Sequence, residues 1–144
     1  MKFSKEVDYR LALAKGFLWE AEEDYRLERW RACVDNAQIA TENAGKMALA
    51  LFGVAPKTHD PARQLAVLLE SATLPESITA LIRKMLPDLL ALDSKTHILT
   101  DYGDEASYTL PWDIFTQQTA DEALKSARKA VGLAGVLRDA MFGS

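Results

Sequence analysis

TADEALKSARKAVGLAGVLRDAMF, residues 119–142, decides the fold class. Its small and apolar side chains, Ala120, Ala123, Ala127, Ala130, Ala134, Leu137 and Met141, recur at steps of three and four, the spacing that lines one face of an α-helix. Thr119 and Glu122 have capping-box spacing and predict the helix start, the hydroxyl accepting from the amide three residues on while the carboxylate reaches back. The face is small-sided. Ala127, Ala130, Ala134 and Gly135 allow another backbone to come close, which predicts tight packing inside a bundle, with a dimer seam as the alternative.

The same period extends toward the amino terminus. From Ser4, a predicted N-cap, a stripe runs through Phe3, Val7, Leu11, Ala14, Leu18, Ala21 and Tyr25. Leu13, Phe17 and Trp19 lie off that stripe, so this helix is expected to contact neighbours on more than one side, centrally or against another subunit. A second stripe joins Trp30, Cys33, Ala37, Ala40, Ala44, Met47 and Leu51 and stops at Gly53. Pro56 ends any continuation, and Asp60-Pro61 opens a short helix through Leu65, Leu68 and Leu69. A further helix starts at Thr73 and Pro75 and carries Ile78, Leu81, Ile82, Met85, Leu89 and Leu92, with a kink or break expected just before Pro87. Residues 93–118 lose the period and collect Gly103, Pro111, Tyr102, Tyr108 and Trp112, which reads as a long loop, either functional or packed down by its own side chains. Strand alternation and internal repeats are absent. The expectation is one all-α domain over residues 1–144, an antiparallel bundle of four to five helices at about 4–29, 31–52, 61–71, 75–99 and 119–142.

A chain of 144 residues, 49% hydrophobic, can bury roughly 68–70% of its unfolded surface, so the core needs neither disulfides nor a metal. Its one cysteine, Cys33, excludes an internal disulfide and a cysteine-rich zinc cluster, and on its apolar stripe it reads as a buried hydrophobe. A reducing cytoplasmic setting is expected. MKFSKEVDYR lacks a secretory signal order, and no run approaches the ~18 apolar residues of a membrane span. The net charge of −4 is spread over both halves, unlike the basic footprint of a general DNA binder. Six acids (Asp88, Asp93, Asp101, Asp104, Glu105 and Asp113) against Lys95 make the 88–113 stretch acidic, a solvated face or, alternatively, a site for an ion or cationic partner.

Most catalytic templates fail by inspection. His59 and His97 are the two histidines, and the residues three before them are Pro56 and Ser94, so the Glu-x-x-His of a di-iron bundle is missing. His-Glu-x-x-His, a Gly-x-Ser-x-Gly turn and a glycine-rich phosphate loop are missing too. Neither a cofactor nor a resident metal is implied. Glu42 and Lys46 make a helical i,i+4 pair. Tyr25, Arg26, Arg29, Trp30 and Arg31 interleave bases with rings, as a strand-stacking clamp would. Glu22, Glu23, Asp24 and Glu28 interrupt the group, which favours a helix junction of self-paired charges.

WRACVDNAQIATENAGKMALALFG, TDYGDEASYTLP and TADEALKSARKAVGLAGVL together resemble the HEPN family, small helical domains found beside minimal nucleotidyltransferases and in RNA-cleaving toxins. WRACVDNAQIATENAGKMALALFG resembles its second helix, with Glu42 and Lys46 in the Glu-x-x-x-Lys pattern, and His59 follows at the next helix start. TDYGDEASYTLP resembles the late Arg-Tyr-Gly-Asp segment, and TADEALKSARKAVGLAGVL the closing helix. The resemblance implies a homodimer, a nucleotidyltransferase partner and a role of the toxin–antitoxin kind.

The chain departs from the family's ribonuclease pattern, Arg, four to six residues, then His. The positions five to seven before His97 are Leu92, Ala91 and Leu90, and those before His59 are Val54, Gly53 and Phe52. Asp101 stands where the late segment would have arginine, and a carboxylate there repels a substrate phosphate. The expectation is a non-catalytic binding subunit for nucleotide or RNA, with Tyr102, Asp104, Tyr108, His59 and Lys46 as ligand-binding residues. The alternatives are a structural or protein-interaction bundle and a metal-independent ribonuclease using residues such as Tyr102 or His97.

Overall fold

The computed structural model describes residues 4–54, 60–71 and 73–143. Phe3, Pro56 and His59 lie outside the described residues. Seven helices follow one another among the rest: α1 (Ser4–Arg26), α2 (Trp30–Leu51), α3 (Pro61–Ser71), α4 (Glu76–Ala91), α5 (Ser94–Tyr102), α6 (Pro111–Ile114) and α7 (Gln117–Phe142). None is long and apolar enough to cross a membrane.

Helix α2 is the axis of the bundle. It packs on α1 and α7 along its length and also touches α3, α4, α5 and α6. That position explains its composition, since Ala37, Ala40, Ala44, Ala48 and Ala50 are small enough for neighbours on several sides and all are buried. At about 1.5 Å rise per residue the 22 residues of α2 span about 33 Å, and two core clusters share that length. The larger joins Val7, Leu11, Met47, Leu65, Ile82, Met85 and Leu137 from five helices. The smaller, around Ala21, Cys33, Val34, Leu92, Phe115 and Leu124, lies beneath the amino-terminal end of α2. A close approach in the bundle falls at Gly45, where an added Cβ would lie 2.5 Å from Cγ of Pro61 and 3.2 Å from Cδ2 of Leu89.

Four local expectations are revised. Ser4, the expected cap, is already helical in α1. The cap of α7 is Thr116 rather than Thr119. Thr116 Oγ1 accepts from the Thr119 amide at 3.3 Å, and Thr119 Oγ1 accepts from the Thr116 amide at 2.8 Å, so a short hydroxyl does what Glu122 was expected to do. Helix α4 continues through Pro87 to Ala91 because Met85 and Leu89 are anchored in the core on either side of the proline. The break comes at Leu92 and Asp93, where the Asp93 carboxylate accepts from the Lys95 amide and starts α5. Residues 93–118 therefore contain two short helices and not one long loop. Asp60, at the start of α3, uses its carboxylate to hold the Ser94 amide (2.9 Å) and hydroxyl (2.8 Å), which fixes the first turn of α5. The stripe on α7 packs as expected, with Ala127, Ala130 and Ala134 fully buried, although nothing approaches Gly135.

Candidate functional site

The turn from α1 to α2 is tight. Glu28 adopts a left-handed conformation (φ 60°), which is uncommon for a side chain with Cβ, and the Arg29 amide donates to the Asp24 carbonyl at 2.8 Å. The nearly buried Asp24 carboxylate accepts from Asn36 Nδ2 at 2.7 Å, tying the turn to the second turn of α2. Tyr25 and Trp30 meet edge to face, ring centroids 5.3 Å apart. This junction points Arg29, Trp30 and Arg31 toward α6, which delivers Trp112 and, just past its end, Phe115. Between them lies an open cleft of about 440 Å³. Trp112 is 68% exposed, whereas Phe115 closes the floor against the smaller core.

Arg31 fixes the wall between this cleft and α5. Its guanidinium donates to the Thr100 carbonyl at 3.0 Å and lies 5.9 Å from the Trp112 ring centroid. The buried Thr100 hydroxyl lies 2.8 Å from the His97 carbonyl and 3.2 Å from Asp35 Oδ1 on α2. His97 stands between two carboxylates, with Nδ1 3.5 Å from Asp35 Oδ1 and Nε2 3.4 Å from Asp101 Oδ2. The basic-aromatic group at the α1–α2 junction thus divides. Arg26 pairs with Glu23 at 2.7 Å, a contact that raises its already high pKa, while Arg29 and Arg31 face the cleft.

The residues selected from sequence fall in different places. Tyr102 ends α5 with its ring 67% exposed. Gly103 follows with φ 71°, and an added Cβ there would run into the Thr109 carbonyl, so the tight turn needs glycine. Asp104 pairs with Thr109 across that turn, and its Oδ1 accepts from the Ala106 and Ser107 amides at 3.1 and 3.4 Å. Tyr108, at φ 55°, holds its ring 93% exposed at the tip. Lys46 is elsewhere: 15 residues beyond Arg31, it sits about 22 Å further along α2 and pairs with Glu42 at 2.9 Å, with both side chains largely covered. The structure therefore groups Tyr102, Asp104 and Tyr108 and separates them from Lys46.

Sequence reasoning misses Asp35, Thr100, Trp112 and Phe115 as site residues. Trp112 reads there only as a loop aromatic, and its meeting with Arg31 joins positions 81 apart in sequence.

A helical bundle with a cleft at one end, lined by Arg29, Arg31, Glu28 and aromatic rings, and no assembled catalytic motif among the described residues is the class that fold and site define. The family model described as HEPN domain matches residues 7–137, and the chain belongs to that family. TT1696 from Thermus thermophilus shares 24% identity and superposes with a TM-score of 0.72, covering 91% of this chain and 97% of that one. ST0689, described as an archaeal HEPN homologue, shares 20% identity with a TM-score of 0.66 and the same coverage. At these identities the likeness shows the shared fold. No curated protein matches the chain.

Proposed function

We propose that this chain is a non-catalytic binding subunit, a homodimer that holds a nucleotide or a short stretch of RNA and partners a minimal nucleotidyltransferase. One observation carries the ligand part: Arg29, Arg31, Trp30 and Trp112 converge on a single cleft of about 440 Å³, within the range of small-ligand pockets. Indole faces stack bases without regard to sequence, and guanidinium groups match phosphate oxygens bidentately. The N-cap residue Arg29 makes no side-chain cap hydrogen bond, so the first amides of α2 add donors and the positive end of the helix dipole. Tyr102 and Tyr108 supply further exposed rings beside Asp104, with His59 as a further proposed contact, whereas Lys46, about 22 Å along α2 and paired with Glu42, lies apart from this cleft.

Missing Arg-His spacing and the carboxylate at Asp101 support binding without cleavage. The second-copy part rests on α1. Tyr9, Leu13 and Trp19 form an apolar face outside the bundle, with Tyr9 57% and Trp19 63% exposed.

Calorimetric titration with ATP and with a single-stranded RNA oligomer tests the cleft. Trp112→Ala, at an exposed position, is expected to leave the helical content intact and weaken binding by about 1–3 kcal/mol, or about 5- to 150-fold. Absence of binding to both ligands by the wild-type protein would refute the ligand part.

A further inference from the structure

His97, Asp101 and Asp35 bring one imidazole and two carboxylates together, their ligand atoms all within 4.8 Å of one another. The cluster differs from a run of solvated acids in three respects. First, His97 and Asp101 lie four residues apart on α5, so one helix face presents both. Their Nε2 and Oδ2 atoms are 3.4 Å apart. Two ligands bound at about 2.0–2.2 Å to a tetrahedral Zn2+ stand about 3.4 Å from each other. Second, the opposite ring nitrogen, Nδ1, faces Asp35 Oδ1 at 3.5 Å. Metal-binding histidines characteristically direct their second nitrogen to a carboxylate, which sets the tautomer and orients the ring. Third, that carboxylate is itself held, because the fully buried Thr100 hydroxyl contacts Asp35 Oδ1 at 3.2 Å. The order Thr100, Asp35, His97 runs from core to surface and ends on a ring that is 48% exposed.

We propose that His97 Nε2 and the Asp101 carboxylate bind a divalent transition-metal ion of the Zn2+ type, with Asp35 as the positioning residue. Two carboxylates balance the two charges of the ion. The imidazole favours Zn2+, Co2+ or Ni2+ over Mg2+, which prefers oxygen donors. Arg31, a cation in the surrounding hydrogen-bond chain, donates to the Thr100 carbonyl and lies 5.9 Å from the Trp112 ring centroid, so it is held by those groups. Cys33 is no competitor, since its thiol is buried and held protonated. Sequence spacing shows His97 and Asp101 four residues apart but not Asp35, which is 62 residues before His97 and meets it only when α5 docks on α2.

Titration of the metal-free chain with Zn2+ alone, followed by calorimetry, tests the site. One saturable ion per chain is expected, with weaker binding of Mg2+. His97→Ala, at a half-exposed position, is expected to abolish saturable binding while far-UV circular dichroism stays unchanged. Asp101→Asn weakens binding by removing a ligand charge. Asp35→Asn is expected to weaken it about 10- to 100-fold, and to shift the His97 ring-nitrogen resonances in the metal-free protein, which a purely structural role would leave in place. Co2+ in place of Zn2+ should give d–d absorption without the thiolate charge-transfer band that cysteine ligation produces. Failure of Zn2+ to bind saturably, or binding that survives His97→Ala undiminished, overturns the proposal. Neither outcome depends on whether the neighbouring cleft binds a nucleotide.

Discussion

At the scale of single residues, Cys33 shows how completely burial determines chemistry. Its side chain has no exposed surface, and its Sγ lies 3.9 Å from the Ala120 carbonyl. Desolvation, helped by the Asp24 carboxylate and opposed by Arg128, pushes the thiol up to about 12 from an ordinary value of 9.0. The folded protein is therefore expected to resist a thiol reagent at pH 8 until denaturant is added. The same shift has a pH signature. An unfolded chain releases the Cys33 proton above about pH 9 while the folded chain keeps it, so the contribution to stability is intact below pH 9. It falls as pH rises toward 12, by up to about 1.4 kcal/mol per unit. Urea denaturation of wild type and Cys33→Ala at pH 8, 10 and 11 separates this from other titrations: the wild type should lose stability faster, and parallel slopes would contradict the assignment. Burial of Cys33 was legible because its apolar stripe runs through it with regular spacing. The surroundings of His97 were not, because they are made by α2 and by a helix whose own pattern is nearly silent.

Among elements, legibility followed the amount of core each helix buries. Helices α1, α2 and α7 each present a long stripe, and their spans differ from expectation by a few residues at the ends. Helix α5 buries Thr100 and little else, so its 9 residues carry almost no period, and the sequence pattern divides them between the end of the expected 75–99 helix and a loop. Its ends are set by Asp93, by the Asp60 contact to Ser94 and by Gly103, all local chemistry or tertiary contact outside the hydrophobic pattern. Gly45 is the complementary case, a glycine in a helix interior whose isolation in sequence gave no hint of its purpose. Replacing it with alanine would ordinarily favour the helix by about 1 kcal/mol. Here the new methyl would overlap the Pro61 ring at the start of α3 and press on Leu89 of α4. Overpacking of that kind costs about 1–3 kcal/mol, and prolyl carbons fixed in a ring have little room to yield. Gly45→Ala is expected to lower the unfolding free energy by up to about 2 kcal/mol in a urea titration. A variant more stable than the wild type would show that α3 moves away freely.

For the whole molecule, the proposed homodimer stands or falls on the distribution of apolar surface on α1. One side of the helix enters the larger core through Val7, Leu11 and Ala14, as the regular stripe required. The off-stripe residues are not equivalent to each other. Phe17 packs partly against that core, whereas Leu13 contributes to neither core cluster and Tyr9 and Trp19 point outward. In the proposed homodimer Trp19 is the anchor of a self-complementary contact, in which the same face of a second copy would meet it across a two-fold axis. Phe17→Glu would confuse loss of assembly with loss of fold, because it also strips a wall from the core. Leu13→Glu with Trp19→Glu avoids that difficulty, since both changes sit on the outer face. Loss of a central tryptophan alone costs about 2 kcal/mol or more at such an interface, about 30-fold in the dimer Kd, and paired glutamates facing their own copies add repulsion. Light scattering across a concentration series should therefore show a dimer for the wild type and a monomer of unchanged helical content for the double variant. A wild-type monomer at every concentration, or a dimer indifferent to both changes, would remove α1 as the seam and leave its outer face for a different partner.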